Sequence, residues 1–313
     1  MARIAVTGGA GFIGSHLATA LVERGDQVVI LDNFSTGHRA NLGHLGDRVQ
    51  VVEGCLTDTT AVDRALEGAT AVLHQAAMPS VPKSIRWPDK SHLNNIVGTL
   101  SLLEGARRHA VKRVVYAASS SAYGDQEADQ KREDMVPNPL SPYAVQKLTG
   151  EYYCQVYNHL YGLETIGLRY FNVFGPRQDP KSAYAAVIAA FVSRMLGGDA
   201  PVIHGDGLQS RDFTFIDNVV QANLAALSAP ASACGRIYNA ACGQRASVQD
   251  LVTLLNEILG TTIEPTHIEP RPGDVRDSCA DTVAAAEALG YTAQISLKEG
   301  LARTVEWHRG LQA

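Results

Sequence analysis

Apolar residues along the chain fall into two alternating kinds of segment. Short runs rich in β-branched and aliphatic residues, at 3–7, 27–31, 49–53, 71–77 and 112–118, read as strands. Between them lie stretches whose apolar positions recur three and four apart, as at Leu17, Leu21 and Val22 and again at Leu102, Leu103 and Ala106, which predict helices. One helix is expected to open at Asn94-Asn95. This alternation predicts an α/β fold of the Rossmann type, a doubly wound parallel sheet with helices on both faces. After Asn172 the pattern loosens into Pro-, Gly- and Ala-rich segments with short helices, consistent with a smaller, interleaved α/β domain. The expected division is 1–170 for the first domain, with a returning segment around 212–240, and mainly 171–313 for the second.

Composition narrows the classes of function. A chain of 313 residues with 45% hydrophobic content can bury one large core or two that share a boundary. The net charge of -5 and scattered Lys and Arg provide no basic stripe, so nucleic acid is not an expected partner and an anionic ligand must be met by a local pocket. Five cysteines, Cys55, Cys154, Cys234, Cys242 and Cys279, are widely spaced without a C-x-x-C pair. They read as reduced thiols rather than a zinc site or disulfide frame, so no metal is expected. With no apolar run of about 18 residues and no leader pattern, a soluble cytoplasmic protein without membrane contact is expected.

Chemistry enters at four places. The first strand runs into Gly8-Gly9-Ala10-Gly11-Phe12-Ile13-Gly14 and then a helix, the order of a dinucleotide loop. There Gly8 permits the tight turn, Gly11 lets backbone approach a pyrophosphate, and Gly14 allows close helix packing. The second strand ends in Asp32, about 18 residues on, where a carboxylate accepts from both adenosine ribose hydroxyls and repels a 2'-phosphate; NAD is expected over NADP. Ser119-Ser120-Ser121-Ala122-Tyr123-Gly124 follows the fifth strand, and carboxyl ends of parallel strands are where ligands collect. Finally, Tyr143 and Lys147 stand four apart in a helical segment and so share a face, where an ammonium lowers the phenol toward working range as an acid/base. Such a pair standing alone is more often an exposed helix contact; here it lies downstream of the glycine loop and the serine cluster. His74, without an acidic neighbour in sequence, reads as a packed strand residue rather than a catalytic one.

Taken together, 7–16, Asp32-Asn33, the serine cluster, Tyr143/Lys147, Ser80-Val81-Pro82-Lys83-Ser84-Ile85 and the run from Leu168 through Arg169-Tyr170-Phe171-Asn172-Val173-Phe174-Gly175 to Ile188 resemble the extended short-chain dehydrogenase/reductases. The resemblance is nearly end to end. Within that superfamily the chain is similar to the UDP-hexose 4-epimerases, most of all the UDP-N-acetylglucosamine 4-epimerase group. The resemblance implies a homodimer with NAD as cofactor and a UDP-sugar as substrate. It places Tyr143 as the base on the sugar 4-hydroxyl, Ser119 between the 4-oxygen and the phenol, and Lys147 on the nicotinamide ribose. Cofactor contacts implied beyond Gly8, Gly11, Gly14 and Asp32 come from Phe12 and Ile13 in the loop and Asn33, Ser35, Thr36 and Gly37 after the second strand. Leu56 and Asp58 follow the third strand, Gln75, Ala76 and Ala77 the fourth, and Asn94 and Tyr170 complete the set. On the substrate side, Asn172, Arg211 and Arg271 would meet the pyrophosphate, Asp274 the uridine ribose and His204 the uracil, with Ser80 and Val187 nearby. Arg forks suit a pyrophosphate, although each arginine alone is also a plausible surface ion pair, such as Arg211 with Asp212.

Two positions bear on specificity. Ser120 and Ser121 stand where related dehydratases carry acids, so dehydration is disfavoured and epimerisation left. Ser278 aligns with a gatekeeper that is a tyrosine in enzymes restricted to non-acetylated sugars; with Ser120, Gln178 and Ala186 it would leave room for a 2-acetamido group. UDP-GlcNAc/UDP-GalNAc is therefore the expected pair, with UDP-Glc/UDP-Gal also accepted in principle. Cys55 replaces a family aspartate that accepts from the adenine amino group, with Asp58 a candidate substitute, Pro79 replaces a glycine beside the sugar, and Ala189-Ala190-Phe191 replaces a Pro-Lys-aromatic run. Two alternatives stay open: 4-epimerisation of UDP-N-acetylglucosaminuronate, and a non-catalytic nucleotide-sugar or NAD sensor.

Overall fold

A computed structural model of the chain describes residues 1–179, 187–270 and 276–311. Its centre is a seven-stranded sheet whose neighbouring strands all run parallel. Six strands are β1 (Arg3–Thr7), β2 (Gln27–Asp32), β3 (Val49–Glu53), β4 (Ala71–His74), β5 (Arg113–Ser119) and β6 (Glu164–Tyr170). The seventh, Arg236–Ala240, returns from far along the chain to the edge beside β6. In space the order is Arg236–Ala240, β6, β5, β4, β1, β2, β3. The order reverses between β1 and β4, and that switch opens a crevice at the carboxyl ends of the strands.

Helices α1 (Phe12–Glu23), α2 (Thr59–Leu66), α3 (Val81–Arg86), α4 (Pro88–His92), α5 (Gly98–Arg108) and α6 (Pro142–Tyr161) precede β6. Later come α7 (Val187–Leu196), α8 (Ile216–Ser228), α9 (Val248–Leu259), α10 (Val283–Leu289) and α11 (Leu297–Gly310). Strand residues alternate between two buried layers, as the period of two requires. Ile4, Val6, Val28, Ile30, Val115 and Leu168 pack with Leu17 and Leu21 of α1 and Val219, Ala222 and Ala226 of α8. On the other face Ala5, Val29, Leu31, Val72 and Val114 pack with Val62 and Leu66 of α2, Leu102 and Ala106 of α5, and Cys154 and Tyr157 of α6. Being apolar on both faces, these strands read as continuous hydrophobic runs, which made them legible.

Beyond β6, short strand pairs project from the sheet. Val173–Phe174 pairs with Thr214–Phe215, Val202–His204 with Thr266–Ile268, and Ser210–Arg211 lies between Ala246–Ser247 and Asp277–Ser278. Two boundaries differ from expectation. The fourth strand stops at His74, three residues early, because Gln75–Ala77 leave the sheet to line the crevice. The helix expected to open at Asn94-Asn95 is already under way at Pro88 and continues through a π turn at Leu93–Val97 into α5. Such bulges turn side chains out of register with an α-helix and recur at functional sites.

Candidate active site

The glycine loop is shaped by close contacts. Gly8 has φ of 66°, and a Cβ there would stand 2.8 Å from the Ala76 backbone. A Cβ on Gly14 would stand 2.1 Å from the Gly8 carbonyl oxygen. Both positions therefore demand glycine, and β1, α1 and the segment after β4 approach as closely as backbone allows. Asp32, nearly buried, braces the loop: Ala10 N–H donates to Oδ2 at 2.9 Å and Phe34 N–H to Oδ1 at 2.7 Å.

Around this loop lies a cleft of about 520 Å³. Its walls are Gly8, Gly11, Phe12, Ile13 and Gly14 from the loop, Asp32, Asn33, Ser35, Thr36 and Gly37 after β2, and Leu56 with Cys55 after β3. Gln75, Ala76, Ala77, Pro79 and Asn94 form another side. Ser119, Tyr143, Lys147 and Tyr170 meet them with Asn172 and Gln178. Every expected cofactor residue except Asp58 is among them. Asp58 is instead the N-cap of α2, accepting from Thr60 and Ala61 N–H at 3.0 and 3.3 Å. Both capping bonds fall on Oδ1, and Asp58 is not among the residues lining the cleft, whereas Cys55 is. The glycine cradle, the Asp32 carboxylate and the size of the cleft fit a dinucleotide.

The catalytic candidates converge because β5 ends in Ser119 while α6 passes beside it. Ser119 caps the short 3₁₀ turn Ser120–Tyr123, its Oγ accepting from Ser121 N–H at 3.2 Å and from Ser121 Oγ at 2.8 Å. The Tyr143 phenol stands at the same wall of the cleft as Ser119, near enough for the hydroxyl to favour the phenolate. Lys147 Nζ donates to the Ala117 carbonyl at 2.7 Å and lies 4.9 Å from the centre of the Tyr116 ring. One expectation is corrected here. Burial pushes the Tyr143 phenol up to about 12, against the pull of Ser119, and it pulls the Lys147 ammonium down to about 8. Lowering of the phenol by Lys147 is thus not the dominant effect in this geometry: loss of water around the phenolate outweighs it, and Nζ is turned to a carbonyl.

Other expected residues divide. Asn172, at φ of 31°, donates from Nδ2 to the Asp212 carbonyl at 3.1 Å. Gln178 donates to the Val173 carbonyl at 3.0 Å, and its buried Oε1 has no hydrogen-bond partner among the described residues. Arg211 and Ser278 are register partners in adjacent strands, with Arg211 donating to the carbonyls of Ser210 and Arg276. Neither of these two, nor Ser120, Val187 or His204, lines the cleft. His204 Nδ1 meets the Glu269 carbonyl at 3.1 Å, and Val187 opens α7. Ser80, expected against substrate, caps α3 by accepting from Lys83 N–H at 3.2 Å. Asp212 is buried and accepts from the N–H groups of Cys242, Gly243 and Ala280. Ala186, Arg271 and Asp274 lie outside the described residues. His74 is packed as expected, between Thr7 and Thr99.

Several residues that shape the site carried no motif. Asn95, in the π turn, accepts from Met78 N–H at 2.7 Å and donates to Gln146 Oε1 at 2.8 Å, a group also met by Ser91 at 2.6 Å. This buried cluster ties the segment after β4 to the turn of α6 that carries Lys147. Asn223 of α8 donates to the Tyr170 hydroxyl at 2.8 Å, and Tyr170 in turn is within 3.1 Å of Gln75. Only the adjacency of two asparagines before an apolar run hinted at the first cluster, and nothing local hinted at the second.

Residues 4–241 match the model of the NAD dependent epimerase/dehydratase family. The chain belongs to that family. A UDP-glucose 4-epimerase from Mycolicibacterium smegmatis is 40% identical over 311 residues, covering 98% of each chain. Among solved structures, a UDP-N-acetylglucosamine 4-epimerase from Methanobrevibacter ruminantium, in complex with UDP-N-acetylmuramic acid, superposes with a TM-score of 0.95 at 35% identity over 99% of each chain. A UDP-glucose 4-epimerase from Thermotoga maritima with UDP-glucose superposes with a TM-score of 0.94 at 39% identity, covering 99% of this chain and 100% of that one. With the cleft described above, the chain is an NAD-dependent UDP-sugar 4-epimerase and so an isomerase. Among the described residues no helix is long and apolar enough to cross a membrane.

Proposed function

We propose that the chain interconverts UDP-GlcNAc and UDP-GalNAc by inverting C4, and that Ser119, Tyr143 and Lys147 carry the chemistry. The observation that supports the chemistry is the meeting of the Ser119 hydroxyl, the Tyr143 phenol and the buried Lys147 at one wall of a dinucleotide-sized cleft. Tyr143 takes the proton of the sugar 4-hydroxyl through Ser119, whose Oγ is held in place by two donors from Ser121. When bound, NAD would supply the hydride acceptor for oxidation at C4 and the donor for reduction of the 4-keto sugar on its opposite face. Between those events the sugar would turn over in the cleft, and Tyr143 would give its proton back to the 4-oxygen as the 4-hydroxyl is re-formed. Asp32 is the residue that would hold the adenosine ribose, and the glycine loop its pyrophosphate.

The preference for an N-acetylated sugar rests on Ser278. By the family resemblance, a hydroxymethyl there, paired with Arg211 in the neighbouring strand, would leave room that an aromatic ring would take. The free acceptor of Gln178 adds a partner suited to an amide N–H. We take 171–313, apart from the returning α8 and the seventh strand, as the part that binds the nucleotide sugar. We also infer a homodimer, because α6 and the adjacent π turn leave Val145, Tyr152, Val156, Leu160, Leu93 and Val97 exposed as one apolar area for a second copy to cover. The expected setting is the cytoplasm.

Proton NMR of the anomeric region tests the reading. Purified protein incubated with UDP-GlcNAc, with and without added NAD, should build up UDP-GalNAc signals to a stable mixture, and Tyr143→Phe should slow this by roughly 10²- to 10⁴-fold. Conversion of UDP-glucose alone sinks the N-acetyl reading, and conversion of an acidic UDP-sugar alone favours the uronate reading. A Tyr143→Phe variant as active as the parent removes the phenol from the mechanism.

A further inference from the structure

Behind Lys147 lies a buried charge pair that the proton-transfer reading does not use. Glu151 follows Lys147 by one turn of α6, on the same face, and both are almost wholly buried. Each Glu151 oxygen is gripped by Arg169 of β6, at 2.9 Å from Nε and 2.7 Å from Nη2. Arg169 is itself buried, and its guanidinium lies 4.4 Å from the centre of the Tyr123 ring. Tyr123 ends the 3₁₀ turn that Ser119 caps, and its hydroxyl donates to Asn239 Oδ1 at 2.7 Å. Contacts therefore run from Glu151, one helical turn from Lys147, through Arg169 to the back of the serine turn. Taking an ion pair out of water is unfavourable by several kcal/mol per ion, and an apolar pair of the same volume serves packing as well or better. Such a pair needs a reason other than stability.

We propose that Glu151, clamped by Arg169, is a positioning residue that keeps the Lys147 ammonium charged and directed at the cleft. The groups facing Lys147 leave few alternatives. On α6 they are Tyr143, Glu151 and Cys154; on β5, the Tyr116 ring; on β4, His74, held neutral by burial. Burial pushes the Cys154 thiol well up, so it stays neutral, and Arg169 is cationic. Glu151 is the only carboxylate of this set; burial pushes it up, and the Arg169 fork and the Lys147 charge oppose that by favouring its ionised form. Its charge opposes the desolvation that would otherwise strip the Lys147 proton near neutral pH. The inference rests on the reading of Lys147 as part of the chemistry given above, yet its test does not need activity.

Competitive trace acetylation with acetic anhydride across pH, read by mass spectrometry at Lys147, reports the proton affinity of this one amine directly. In the wild-type protein the midpoint should lie near 8. In Glu151→Gln it should fall by about one pH unit or more, a tenfold loss of proton affinity. Glu151→Asp, which keeps the charge, should restore most of the difference. Because Glu151→Gln strands a buried guanidinium and can fail to fold, the Glu151→Gln/Arg169→Gln double variant is measured beside it, with a smaller downward shift expected since both charges go. In active protein the alkaline limb of kcat/KM should move with the labelling midpoint. An unmoved Lys147 midpoint in the folded double variant, or in folded Glu151→Gln, overturns the proposal. Absence of epimerisation with a shifted midpoint leaves this inference standing and counts against the proposed function instead.

Discussion

His74 makes acid sensitivity of this fold calculable. It sits at the end of β4, almost fully buried, with Nδ1 2.8 Å from Thr7 Oγ1 and Nε2 3.0 Å from Thr99 Oγ1. The hydroxyl bonds assign the tautomer. Thr99 already donates to the Asn95 carbonyl at 2.7 Å, so its oxygen accepts from Nε2–H, and Thr7 must then donate to Nδ1. Thr7 Oγ1 in turn accepts from Ala76 N–H at 3.2 Å, at the wall of the cleft. A second ring proton would face the Thr7 hydroxyl donor to donor and break this chain. Burial, aided by the Lys147 charge, pulls His74 down to about 3 from an ordinary 6.5. The folded value lies below the unfolded one, so the stabilisation is complete above pH 6.5 and is lost as pH falls toward 3. Between pH 7 and pH 5 the unfolded chain gains most of a proton at this position while the folded protein gains almost none, which amounts to ~2 kcal/mol. That is a large share of a typical 5–15 kcal/mol total. Urea unfolding of wild type and His74→Gln at both pH values isolates the effect, since other titrating groups and the fixed loss from substitution cancel in the double difference. Wild type should lose ~2 kcal/mol more than the variant on going from pH 7 to pH 5. Equal losses would mean that His74 is hydrated or already protonated, and the burial argument would be wrong.

Three further outcomes follow from the site. Asn95→Ala leaves Met78 N–H without its acceptor and removes one donor from Gln146, so a loss of ~2–4 kcal/mol in stability with weaker NAD binding is expected by denaturation and calorimetry; wild-type values in both would show that the cluster does not hold the loop. Ser278→Tyr should abolish turnover of UDP-GlcNAc while sparing UDP-glucose, and equal loss on the two sugars in an NMR assay defeats the gatekeeper reading. Cys55→Asp places an anion at a cleft wall where the family usually has one, and NAD should bind roughly tenfold tighter by calorimetry; an unchanged Kd would mean the adenine lies elsewhere.

What was legible in the sequence and what was not divides along the range of the interactions. The strands, the glycine loop, Asp32 and the Tyr143/Lys147 pair are visible because each depends on periodicity, on a backbone conformation only glycine adopts, or on neighbours one helical turn apart. Asp58 shows the same limit: its position suggests the adenine, while a helix start two residues of backbone away occupies its Oδ1, which sequence position alone does not reveal. Residues whose roles depend on partners far along the chain left no such trace. Asn95 meets Gln146 across 51 positions, Tyr170 meets Asn223 across 53, and Tyr123 meets Asn239 across 116. Proton chemistry was illegible for a further reason. That Tyr143 precedes Lys147 by four residues says that they share a face, but the acidity of the phenol depends on how much water both have lost, and burial is a property of the whole fold. The same loss of water makes Glu151 consequential for Lys147: at the surface a carboxylate one turn away would be screened to insignificance, whereas here, among the described residues, its charge favours the protonated form of a buried amine.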